Sequence, residues 1–152
     1  LNTYDYKLCE NSATVEGLYN YNANMTSQWP FGHGLSYTTF EYSNLRADKT
    51  DFNSGDVIEV SVDVKNTGKV KGKESVLLYS SDLWATLTPD VRRLRDYTKV
   101  DLLPGETKTV TFRLNADDLA YVDHSLNWVL EPGEFRLACG TESIIVNCVR
   151  GK

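Results

Sequence analysis

The stretch VIEVSVDVKN, residues 57–66, alternates without interruption. Ile58, Val60, Val62 and Val64 fall on one side, Glu59, Ser61, Asp63 and Lys65 on the other. A period of two with one apolar and one polar row is the pattern of a β-strand with one face buried and one in water. Turn signals bound it on both sides. FNSGD precedes it and NTGK follows it, and both are expected to turn at a glycine of positive φ, Gly55 and Gly68. Downstream, ESVLLYSSD (74–82) alternates less strictly and reads as a strand covered on both faces for part of its length. TKTVTFRL (107–114) repeats the clean pattern, with Val110, Phe112 and Leu114 inward, after the corner LPGE built on Pro104 and Gly105. NADDL is expected to form one helical turn, with Asn115 as N-cap and Asp118 near the helix N-terminus. Two hairpins close the chain. LAYVD and NWVL flank HSLN, and GEFRLAC and SIIVNCV flank GTE. Trp128, inside NWVL, is expected in the core.

These elements amount to seven or eight strands between Tyr37 and Val149, with no helix longer than a turn. The fold class is all-β, an immunoglobulin-like or fibronectin type III-like β-sandwich over residues 37–152. Residues 1–36 differ in texture. LCENSATVEGLYNYNANMTSQ has neither a helical nor a strand period, so this part reads as an extended, irregular arm ending in the hinge WPFGHGLSYTTF (29–40). Pro30 disfavours helix at Trp29, and Gly32 and Gly34 let the backbone turn. The arm is too poor in apolar residues to fold alone, and its aromatic side chains are suited to lie either on this domain or on another.

Composition narrows the function. With a formal net charge of -5 and no basic cluster beyond RRLR (92–95), read as a solvated loop, the chain lacks the basic face that nucleic acid requires. No apolar run approaches the ~20 residues of a membrane span. The only methionine is Met25, and the chain starts at Leu1, which reads as a fragment or a processed product. Cys9, Cys139 and Cys148 lack the spacing of a zinc site, and the last two, in phase with apolar neighbours, read as buried thiols; neither a metal nor another cofactor is expected. There is no GxSxG, P-loop or HExxH motif, and Ser125 beside His124 lies in a hairpin turn.

The ordered set PFGHGLSYTTFEYSNL, VSVDVKNTG, LLYSSD, LLPGETKTVTFRL, DDLAYVD and WVLEPGEF resembles the C-terminal fibronectin type III-like domain of family-3 glycoside hydrolases, the β-glucosidases and β-xylosidases. In the arm, DYK (5–7) and GLYNY (17–21) resemble the segment leading out of the second catalytic domain. The resemblance implies a non-catalytic accessory domain whose partners are the catalytic domains of a parent glycosidase, a periplasmic or secreted enzyme. Such enzymes place a nucleophilic Asp and an acid/base Glu about 5 Å apart, in domains to which nothing in this chain aligns. SDLW (81–84) matches the end of a sandwich strand rather than the SDW-like catalytic motif, and His33 occupies a variable position of the hinge pattern. TPDVRRLRDY departs from the family's usual RPxKELKGF loop.

The residues expected at an interdomain face are Tyr19, Tyr21, Trp29, Phe31 and Tyr37. Trp84, the aromatic expected on a sandwich loop, is the candidate contact for an oligo- or polysaccharide, because the C–H face of a pyranose stacks on an aromatic ring. A sugar-contacting module and a stand-alone immunoglobulin-like adhesion or structural domain are the alternatives, since one sandwich hosts many functions.

Overall fold

The computed structural model describes residues 29, 33–88 and 90–152. The strands are β1 (Phe40–Ala47), β2 (Asp51–Asn53), β3 (Val57–Asn66), β4 (Gly72–Asp82), β5 (Arg93–Leu102) and β6 (Thr107–Asn115). After a 3-10 turn at Ala116–Leu119 come β7 (Tyr121–Val122), β8 (Trp128–Val129), β9 (Gly133–Cys139) and β10 (Glu142–Arg150). One sheet has the order β1-β3-β6 and the other β2-β10-β9-β4-β5, with β7 and β8 forming a separate small hairpin. This is the expected all-β sandwich. Seven strands are seven residues or longer, and β2, β7 and β8 are two- or three-residue additions.

The alternation in residues 57–66 acts as read. Ile58, Val60, Val62 and Val64 have no exposed surface, and β3 pairs with β6 so that Val60 lies opposite Phe112 and Val62 opposite Val110. The facing sheet contributes Val76 and Leu78 from β4, Phe135 and Leu137 from β9, and Val146 from β10, all buried. A single apolar layer between two sheets results, the arrangement that follows when each strand offers every second side chain. Cys139 and Cys148 are free and buried within it, and burial pushes the Cys139 thiol up to about 12. β4 is covered on both faces around Tyr79 and Ser80, as its weaker alternation suggests.

The chain changes sheets early. β1 lies beside β3, carries a one-residue bulge at Asn44 (φ 55), and is followed by β2, which pairs in parallel with β10. FNSGD is therefore part strand and part turn: Phe52 is fully buried and packs on Phe135 at 6.0 Å between ring centroids, while Gly55 turns at φ 85.

Four expectations need correction. Gly68 is not at positive φ; it is glycine because of crowding, since a Cβ there would lie 2.0 Å from Thr38 Oγ1 and 2.9 Å from the Thr39 nitrogen. RRLR is no solvated loop. Arg93–Arg95 begin β5, and Arg92 lies over the Tyr79 ring at 4.7 Å. The Asn115 side chain does not cap the 3-10 turn; it donates to Asp118 Oδ2 at 3.2 Å. Asp117 instead accepts from Ser54 Oγ at 2.7 Å and from the Gly55 N–H at 3.1 Å, bonds that hold its carboxyl below the usual carboxylate range. Trp128 is not in the core but 63% exposed, because β8 is only two residues long and pairs solely with β7.

Candidate functional site

Two regions at opposite ends of the sandwich carry the candidate residues. At the proximal end the hinge joins the sandwich. Phe40 pairs with Asn66 and Gly72 with Leu102, which brings the start of β1, the β3–β4 turn and the β5–β6 corner together. Asn66 is fully buried there. Its Oδ1 accepts from Thr38 Oγ1 at 2.7 Å and from the Gly68 N–H at 3.0 Å, and its Nδ2 donates to the carbonyls of Val70 at 2.9 Å and Leu102 at 3.1 Å. A buried amide with all four positions engaged is a rigid junction. Tyr37 and Leu35, just before Thr38 in the chain, are fully exposed, and Trp29, 59% exposed, stacks on His33. Tyr19, Tyr21 and Phe31 lie outside the described residues.

At the distal end the β4–β5 loop, the 3-10 turn and the β7–β8 hairpin enclose a cleft of about 290 Å³. Its origin is a bulge. Leu78 pairs with Asp96 but Tyr79 with Leu94, so Arg95 is the extra residue on β5. A bulge re-aims its side chain. Arg95 Nε donates to Ser80 Oγ at 2.6 Å, and Nη1 donates to the Asp118 carbonyl. Trp128 and Tyr121 also line the cleft, with Asp82, Asp90 and Arg93. Arg93 Nε meets Asp90 Oδ2 at 3.1 Å. Asp82 Oδ1 accepts from the Trp84 N–H at 3.1 Å, so this carboxylate serves the turn in SDLW, as the strand-end reading of that motif implies; burial raises its pKa.

The loop is pinned by Glu131, whose carboxylate accepts from the Thr86 N–H at 2.8 Å and Thr86 Oγ1 at 2.5 Å; these bonds, with a further one from Tyr121, hold its pKa down. Trp84 stands on this loop, 77% exposed, but does not line the cleft. The HSLN turn is held by Asp123, whose Oδ1 accepts from the N–H groups of Ser125 and Asn127 at 2.8 and 2.9 Å. The cleft is not legible in the sequence, because the phase of NWVL points Trp128 inward and RRLR, with Arg95, reads as a loop.

A family model for a fibronectin type III-like domain matches residues 74–143, from β4 into the start of β10. The chain carries a fibronectin type III-like domain. This domain recurs in enzymes acting on β-glycosides. The chain is 47% identical over 116 residues to the thermostable β-glucosidase B of Acetivibrio thermocellus, an alignment covering 76% of this chain and 15% of that protein. It is 41% identical over 128 residues to a β-xylosidase of Formosa agariphila, covering 84% of this chain and 18% of that one. Among solved structures, the β-glucosidase from Listeria innocua in complex with glucose superposes with a TM-score of 0.77 at 32% identity, covering 97% of this chain and 21% of that chain. The chain thus spans about one fifth or less of the length of these relatives, as a fibronectin type III-like domain within a longer glycosidase does.

Proposed function

We propose that the chain is the non-catalytic, C-terminal accessory domain of a family-3 β-glycosidase and that it stabilises the catalytic domains by packing against them through its proximal end. The parent would hydrolyse terminal β-glycosidic bonds by the two-carboxylate retaining mechanism, with both carboxylates outside this chain. The observation that carries this reading is the lopsided coverage: three-quarters of this chain aligns with only 15% of a β-glucosidase. The proximal surface supports it. Leu35 and Tyr37, which lead into Thr38 of the Asn66 junction, and Trp29 present apolar area to solvent, as expected of a surface that another domain covers. In sequence Tyr19, Tyr21 and Phe31 extend the same set.

The test has two arms. An antibody against this chain should detect, in source cells, a protein several times heavier than 17.1 kDa; a band at that mass overturns the reading. In the parent, Trp29→Ala combined with Tyr37→Ala should lower the melting temperature by several degrees. The same pair in the isolated chain should leave its melt unchanged, because both side chains are exposed there. Equal effects in the two contexts would remove the interdomain face.

A further inference from the structure

We propose that the distal cleft, walled by Trp128 and Tyr121 and rimmed by Arg93, Arg95, Asp82 and Asp90, binds a neutral pyranoside. Trp128 supplies the aromatic face. Among the described residues its ring makes no aromatic contact and its indole no hydrogen bond, and it is 63% exposed on the hairpin that also lines the cleft with Tyr121 and Val122. A tryptophan held on a two-residue strand, away from the core and facing a concavity, offers a flat apolar plate to a ligand. The C–H face of a pyranose is apolar and slightly electropositive, complementary to the negative face of the indole.

The rim supplies the polar half of the match. Arg93 engages Asp90 through Nε alone, and its Nη donors make no bond with any described residue. Asp82 gives one oxygen to the Trp84 N–H; among the described residues its other oxygen accepts no hydrogen bond, and the Arg95 charge acts on it. The cleft therefore presents donors and acceptors side by side, as hydroxyl groups that both give and take hydrogen bonds require. Two arginines against two aspartates leave no net formal charge, which favours a neutral polyol over a phosphate or carboxylate ligand. The volume, about 290 Å³, is at the small end of ligand clefts, so it suits one or two sugar rings and not an extended polypeptide segment. The walls are preformed: Arg95 is fixed by Ser80 and Asp118, and the loop by Glu131. The position matters too. The cleft lies at the end of the sandwich opposite the hinge, so a domain packed on the proximal end leaves it open.

The experiment is a titration of the isotopically labelled 152-residue chain with cellobiose and, separately, xylobiose, followed by nuclear magnetic resonance. The expected result is a saturable shift of the Trp128 indole N–H together with the amides of Arg93 and Asp90. Trp128→Ala should weaken binding about tenfold or more, Arg93→Gln should weaken it several-fold, and Trp84→Ala should leave it unchanged. Trp128 and Arg93 are exposed, so both variants should keep the wild-type spectrum elsewhere. The proposal is overturned by the absence of saturable shifts with either sugar, by shifts centred on Trp84, or by binding that survives Trp128→Ala. It also fails if hydrogen exchange shows the β7–β8 hairpin shielded in the parent enzyme, for the cleft is then a protein contact. None of these results depends on whether the proximal end packs on catalytic domains.

Discussion

Asn66 shows how one polar side chain joins the hinge to both sheets. Its backbone N–H donates to the Glu106 carbonyl at 3.0 Å and its own carbonyl accepts from the Gly105 N–H at 2.8 Å, while the side chain holds Thr38, Gly68, Val70 and Leu102. Truncation would strand two buried partners, the Thr38 hydroxyl and the Leu102 carbonyl, each costing about 1–3 kcal/mol, and two part-buried ones, the Gly68 N–H and the Val70 carbonyl, which water entering at the sandwich end can reach. Asn66→Ala should therefore lower the unfolding free energy by about 3 kcal/mol, measured by urea denaturation. Asn66→Asp adds a sign that can be checked. Its carboxylate would face the Val70 and Leu102 carbonyls, so the folded state favours the protonated form and raises the pKa above the unfolded value of about 4. The variant should be most stable below that value and should lose stability as pH rises through the folded pKa; a variant that gains stability with pH would contradict the orientation of the amide. This residue was partly legible in the sequence. Position 66 continues the inward phase of Ile58 to Val64, yet its polar character and the following Thr-Gly make it read as a turn residue.

At the level of elements, legibility followed burial. β3, β6, β9 and β10 bury one row each, so hydrophobic alternation revealed them. β5 was invisible because it is an edge strand, paired only with β4, and its sequence RLRDYTKVDL keeps charged side chains along an open edge where they discourage further strand pairing. Trp128 failed for the opposite reason: NWVL has strand chemistry, but β8 is too short and too peripheral for alternation to mean burial. The loop between β4 and β5 also depends on a contact that local pattern cannot show, Thr86 to Glu131, 45 positions apart in the chain. Removing that anchor by Glu131→Ala should free the loop without opening the sandwich, because Glu131 lies outside the apolar layer. Limited trypsin digestion at Arg92 and Arg93 should then run several-fold faster, with the melting temperature changed by no more than a few degrees. Unchanged cleavage would mean that Ser81 Oγ, which donates to the Val91 carbonyl at 2.8 Å, and the Arg93–Asp90 pair hold the loop by themselves.

For the whole molecule, the question is what the arm contributes. The buried apolar residues run from Leu45 to Cys148, and the C-terminus is tied in by the reciprocal backbone bonds of Leu130 and Lys152 at 2.9 and 3.2 Å. Among the described residues of the hinge, Thr38 is the first that the sandwich buries, whereas Tyr37 and Leu35 are exposed. The boundary between arm and domain is expected at residue 37, one position before Thr38. A chain of residues 37–152 keeps every buried apolar residue among the described ones and the Asn66 junction, so it should fold by itself. Its circular dichroism should match that of the full chain, with a melting temperature within a few degrees. Folding should be slow, in milliseconds to seconds, because β2–β10 and β4–β9 join distant parts of the sequence. If the shortened chain melted far lower, the arm would be packing on this sandwich, and the aromatic residues from Tyr19 to Phe31 would belong to its stability. An unchanged melt leaves those aromatics available to the catalytic domains of the proposed parent glycosidase, where the same truncation should be felt instead.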